Sequence, residues 1–215
     1  MFSAALGYPF HPQNKPIRRG WRMARMRLSS TISVAGLSIA LMACSGSPET
    51  EVGADAPDII SLTSVAFENA SRIPDEHTCE GADTAPPLRW DGAPAATQSF
   101  ALIATDYDAP SPSIPLFEIV HWTVANIPAD WRALPQGLRK DRLLENGIYQ
   151  GDKTGGVVGY YGPCPPFGEH TYYYIIYALD TKLALPTEAI SKGELLEKMA
   201  GHIIAKGTLT GTYSR

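Results

Sequence analysis

The chain is poor in the patterns on which common catalytic chemistries rest. It has no Gly-x-Ser-x-Gly stretch, which excludes the strand-to-helix elbow that exposes a hydrolase serine. It has no His-Glu-x-x-His, so the helix that sets two zinc-binding histidines beside a base is missing. Internal repeats and low-complexity tracts are absent, which argues against a solenoid. Cysteine occurs only three times in 215 residues. Acidic residues are missing altogether from residues 1–43. No apolar run there reaches the roughly 20 residues of a comfortable membrane span.

What residues 1–43 do contain is six basic residues, Lys15, Arg18, Arg19, Arg22, Arg25 and Arg27, followed by an apolar stretch from Ile32 to Ala43. Basic then apolar is the order of an export signal. The stretch ends in Leu41-Met42-Ala43-Cys44, which resembles the lipobox of bacterial lipoproteins. That resemblance implies cleavage before Cys44, a lipid on its thiol and an acyl chain such as palmitate on the new N-terminus. Ser45 after the cysteine is compatible, by the same resemblance, with passage to an outer membrane. A start at Met23 gives a signal of ordinary length. The expected domains are therefore 1–43 signal peptide, 44–58 lipidated flexible tether and 59–215 folded domain.

After Cys44 the balance is 12 Lys and Arg against 22 Asp and Glu, a net charge of −10. Such a surface repels nucleic acid and anionic headgroups, so membrane attachment is expected through the anchor rather than a basic face. Cys79 and Cys164 remain in an oxidising setting, and spacing alone leaves their pairing open.

Short apolar runs separated by Pro, Gly and Asp span Ile59–Phe67, Pro87–Trp90, Ser99–Asp106, Glu118–Ile127, His170–Asp180 and Ala205–Tyr213. Their β-branched and aromatic content predicts strands. Within 187–204, Leu195, Leu196, Met199 and Ile203 share a helical face, and Ser191 with Glu194 fits a capping box. Residues 131–158 lack periodicity and predict a long surface excursion with a short helical turn. The sum is a mainly β domain, a β-sandwich of antiparallel sheets with one late helix.

Four polar stations interrupt this apolar background. In "TDYDAPS", Asp106 and Asp108 stand two residues apart on a strand that Pro110 is expected to stop; such a pair either converges on one site or forms a turn. His121 lies inside the apolar run "EIVHWTVANIP", where a satisfied core histidine is the competing role. "GPCPPFG", Gly162 to Gly168, fixes φ at three prolines and admits close backbone approach at its glycines, as a ligand lip or a rigid connector. His170 and Tyr172 share one strand face, opposite Thr171 and Tyr173, while Tyr173, Tyr174 and Tyr177 are expected to pack. A thiol nucleophile pairing Cys164 with His121 or His170 lacks evident activation. A metal on Asp106, Asp108, His121 and His170 lacks a spacing signature, so no metal or cofactor is expected.

Together "TCEGADTAPPLRW", "DYDAPS", "HWTVANIP", "GPCPPFGEHTYYYIIYALD" and "AKGTLTGTY" resemble the phosphatidylethanolamine-binding proteins, in their bacterial Raf-kinase-inhibitor-like branch. The likeness runs in order from about Ile59 to Tyr213. It implies an antiparallel β-sandwich with a small pocket for phosphate-like anions, including phosphoethanolamine. Carried over by position, the ligand-binding residues are Asp106, Pro110, His121, Gly162, Pro163, His170 and Tyr172, with no catalytic residue. The chain departs from the family at Tyr107, where proline is usual, and at Thr171, where arginine is usual. Leu116 and Ile119 stand where eukaryotic pockets have aromatics.

The expected function is thus a non-enzymatic, lipid-anchored protein of the bacterial cell envelope, facing the periplasm. Its expected ligand is a small anionic or zwitterionic phosphate, held better at pH 6 than at pH 8. One alternative is an inhibitor or regulator of an envelope protein such as a kinase or protease, docking through the Pro-rich rim and residues 131–158. Another is a weak phosphoester or ester hydrolase using His121, His170 and Asp106.

Overall fold

Residues 52–215 are described by a computed structural model of the chain. The export segment, Met23 and the lipidation residue Cys44 lie outside the described residues, as does most of the tether.

Runs of alternating or continuous apolar residues form eleven strands among the described residues. They are β1 (Ser61–Thr63), β2 (Ser71–Arg72), β3 (Leu88–Asp91), β4 (Ser99–Ser111), β5 (Ile114–Pro128), β6 (Ala133–Leu134), β7 (Tyr149–Gln150), β8 (Asp152–Lys153), β9 (Val157–Val158), β10 (His170–Leu179) and β11 (Ile203–Tyr213). A six-stranded sheet has the order β2-β11-β10-β4-β5-β7, a three-stranded sheet the order β1-β3-β6, and β8 pairs with β9. All pairings are antiparallel except that of β2 with β11, so the large sheet is mixed at one edge.

The large sheet is buried on both faces, which is why its central strands are nearly continuous in apolar residues. Tyr172, Tyr174 and Ile176 of β10 meet Trp90, Phe100 and Trp122 in the core that includes the small sheet. The alternate residues Ile175, Tyr177 and Leu179 meet a second core under the one α-helix among the described residues, α1 (Lys192–Met199). Ser191 caps α1 through the expected box: its Oγ accepts from the Glu194 amide, and its own amide donates to the Glu194 carboxylate. Ile203, expected on the helix, instead begins β11, because Gly201 at φ +80° takes the chain out of helical geometry.

Pro110 does not stop β4. The strand continues to Ser111 and returns as β5 from Ile114. Beyond the Tyr172↔Asp106 pair, β10 offers β4 no further partner, so on that side a proline costs no ladder hydrogen bond. Residues 107–118 therefore form a two-stranded ribbon projecting past the sheet. The excursion from 131 to 158 is less open than expected. It carries β6, β7, β8 and β9, with a single short helical turn at Glu145–Gly147.

Candidate functional site

The polar stations gather where β4, β5 and β10 run side by side, at the level at which Tyr172 pairs with Asp106 and Asp106 with Ile119. His170 and Tyr172 share a strand face, as period two requires, and both are buried.

Asp106 Oδ2 accepts from His170 Nδ1 at 2.8 Å, with both side chains buried. His170 Nε2 points at the Phe167 carbonyl, 3.2 Å away. Each ring nitrogen thus meets an oxygen, the Asp106 carboxylate on one side and the Phe167 carbonyl on the other. The second oxygen of Asp106 accepts the Asp108 amide at 2.7 Å. Asp108 does not join Asp106 at the site, because its carboxylate turns to the Thr171 amide at 2.8 Å and ties β4 to β10. The register shift between Asp106 and Ala109 breaks the i, i+2 alternation on which convergence depended.

His121 sits at a bulge. Ala104 pairs with Trp122 and Thr105 with Val120, which leaves His121 as the extra residue of β5. Its carbonyl accepts the Tyr161 amide at 2.9 Å, and its Nδ1 donates to the Tyr161 carbonyl at 2.7 Å. The neutral ring then carries its lone pair on Nε2, a buried atom with no partner. Burial holds the His121 pKa below its ordinary value, with the Tyr161 carbonyl and the Asp106 charge opposing.

The Tyr172 ring stands edge-on to His121, with centroids 5.1 Å apart. Its hydroxyl is the other buried, unpartnered polar atom here. Burial, helped by Asp106, pushes the phenol far above its ordinary range, so it remains an O–H donor.

The lip is fastened from outside the site. Cys79 and Cys164 form a disulfide with Cα atoms 5.4 Å apart, so Cys164 has no free thiol for a nucleophile. The Pro163 carbonyl accepts the Cys79 amide at 3.1 Å. Gly162 is packed so closely that a Cβ would lie 2.5 Å from the His77 carbonyl oxygen. Its amide, expected to serve a ligand, is bound by Asp83 Oδ1 at 2.6 Å. Pro110 lies on the projecting ribbon opposite Pro115.

Three nearby residues escaped the sequence reading: Asp83, which also pairs with Lys140 at 2.7 Å; Tyr161, stacked on His121; and Lys153, whose ammonium lies 4.3 Å over the Tyr161 ring. Only the adjacency of Tyr161 to Gly162 offered a signal. Among the described residues, no group of three or more His, Cys, Asp or Glu is placed to hold a metal ion.

Residues 63–214 match the family model described as phosphatidylethanolamine-binding protein. The UPF0098 protein of Methanothermobacter thermautotrophicus is 42% identical over 156 residues, 73% of this chain and 99% of that protein. A phosphatidylethanolamine-binding protein homolog of Chlamydia trachomatis, solved by crystallography, is 37% identical and superposes with a TM-score of 0.66, covering 74% of this chain and 99% of that one. A crystal structure from E. coli, described as a member of the mammalian phosphatidylethanolamine-binding protein family, is 33% identical with a TM-score of 0.62, over 73% of this chain and 98% of that one.

Proposed function

The chain belongs to the phosphatidylethanolamine-binding protein family, and from that premise we propose that it is a non-enzymatic binding protein for a small phosphate-like or phosphoethanolamine-type ligand. The observation that carries this reading is the pair of buried, unpartnered atoms, His121 Nε2 and the Tyr172 hydroxyl, on rings in edge contact. Leaving a buried polar group unpaired costs about 1–3 kcal/mol, which a ligand engaging both atoms offsets.

Tyr172 donates its O–H to an oxyanion. Neutral His121 accepts from the P–O–H of a monoanionic phosphate, and protonated His121 donates to a dianion. Asp106 is held by His170 Nδ1 and the Asp108 amide, and a carboxylate at that position favours a zwitterion over a bare dianion. No lysine or arginine stands among the proposed contacts, so binding is weak, at roughly 1.5–3 kcal/mol for each charge-assisted hydrogen bond before desolvation and ordering costs.

Calorimetry with inorganic phosphate and phosphoethanolamine tests the site. Binding should be tighter at pH 6 than at pH 8 and should fall sharply in Tyr172→Phe and His121→Gln. Equal binding by the variants and the parent rejects it. We also propose the envelope location, on the basic, apolar and Cys44 order. Metabolic labelling with palmitate should mark the parent and spare Cys44→Ser.

A second reading, a regulator of an envelope protein, is favoured by one observation. Ile114, Leu116, Phe117 and Phe167 are exposed on the ribbon and the lip. These two parts meet, since a Cβ on Gly168 would sit 3.2 Å from the Pro112 ring. Crosslinking from a photoreactive residue at position 116 in intact cells should then trap a protein, and capture of lipid alone excludes this reading.

A further inference from the structure

We propose that a pocket lined by Asn126, Tyr149 and Leu183, separate from the His121 site, takes a small amphipathic anion, an apolar body with a carboxylate-like head. The pocket has a volume of about 380 Å³, within the roughly 300–1,000 Å³ usual for small-ligand sites. Leu143, Tyr149, Leu183, Leu185 and Pro186 make its walls apolar, and Asn126 lies among them. Tyr149 and Leu183 belong to the core beneath α1, so the walls are anchored on that face of the large sheet.

One residue lining the pocket holds an uncommon backbone conformation. Asn126 is buried within β5 at φ +55°, the left-handed region that residues other than glycine rarely adopt. The β4–β5 register slips there, with Phe100 paired to Ile127 but Leu102 to Val124. Its carboxamide clasps one neighbour twice, Nδ2 donating to the Leu183 carbonyl at 3.0 Å and Oδ1 accepting the Leu183 amide at 2.9 Å. Gly147, which also lines the pocket, is left-handed at φ 78°, a conformation open to glycine. Strain of the kind at Asn126, over-determined by its surroundings, concentrates at functional sites.

The charge at the rim is positive and available. Lys182 brings Nζ within 3.3 Å of the position a Gly147 Cβ would occupy. It has no ion-pair partner among the described residues. Arg142 lines the same pocket but is committed to Asp152 at 2.8 Å. The acid of the 145–147 turn, Glu145, lines a separate groove with Trp131 and Leu138. An apolar ligand with one negative end therefore matches both the walls and the free ammonium.

Octanoate and its uncharged counterpart octanol, titrated into methyl- and amide-labelled protein, test this. Both should shift the Leu143 and Leu185 methyls and the Asn126 side-chain amide, leaving the Tyr172 neighbourhood unmoved. Lys182→Gln should weaken octanoate about five-fold, the scale of one exposed ion pair, without changing octanol. Leu185→Trp, with an unchanged melting temperature, should block both. The proposal is overturned if neither probe shifts these groups, if the shifts fall on the Ile114–Phe117 ribbon instead, or if Lys182→Gln leaves octanoate binding intact.

Discussion

His121 and Tyr161 hold each other through two hydrogen bonds: the imidazole Nδ1 donates to the Tyr161 carbonyl at 2.7 Å, and the Tyr161 amide donates to the His121 carbonyl at 2.9 Å. The rings stack within 5° of parallel. One tautomer is thereby selected, and the nitrogen facing the candidate site is the one without a proton.

That relationship fixes a pH dependence. Burial lowers the His121 pKa from its ordinary 6.5. Below that value the unfolded chain binds a proton that the folded protein still refuses, so stability rises with pH and is lost as pH falls. Urea midpoints should drop between pH 7 and pH 5, more steeply than in His121→Gln. Saturating phosphate should flatten the slope, since a bound anion favours the imidazolium. Nitrogen-detected NMR should find Nδ1 protonated and Nε2 bare at neutral pH.

Tyr172→Phe should separate stability from binding. The hydroxyl is buried without a partner, so its removal relieves a desolvation cost and should stabilise the free protein by about 1 kcal/mol. The same change should abolish measurable phosphate binding. Chemical denaturation paired with calorimetry distinguishes this from a core tyrosine, whose loss would harm both.

Asp106→Asn should be severely destabilising. The carboxylate is 2% exposed and its His170 partner 0%, and breaking one side of a buried pair leaves an uncompensated group at a cost of about 3–5 kcal/mol. The double variant Asp106→Asn with His170→Gln should recover part of that loss. Strict additivity of the two single changes would mean that the pair is not coupled.

Cleaving the Cys79–Cys164 bond should loosen the lip as well as the fold. The bridge closes a long loop, with a sequence separation of 85, and such cross-links contribute about 2–5 kcal/mol. Melting with and without reductant should show the difference, and Cys79→Ser should show the reduced value in both. Hydrogen exchange should rise first at the Gly162 amide, whose Asp83 partner lies on the strap that the disulfide holds.

Local pattern carried much of this far. The two faces of β10 follow from period two, so His170 with Tyr172 against Thr171 with Tyr173 was legible. So was the α1 cap, which needs only Ser191 and Glu194 three residues apart. The β4–β5 ribbon was not, because Pro110 breaks a strand only where a neighbour demands its missing N–H, and no local pattern tells where β10 ends. The second core beneath α1 was equally hidden, since a strand buried on both faces has no alternation to display.

By itself, then, the sequence determined which residues could face one another along a strand, where the chain turns, and which family's motifs it carries in order. Only the tertiary structure decided that His121 is a bulge residue with a bare Nε2, that Asp108 leaves the site for Thr171, and that Asp83 occupies the Gly162 amide. Those outcomes depend on register and on partners 79 residues apart for Asp83 and 63 for Asp108. Periodicity is set by neighbours in the chain, whereas register is set when distant strands meet and each buried donor must find an acceptor.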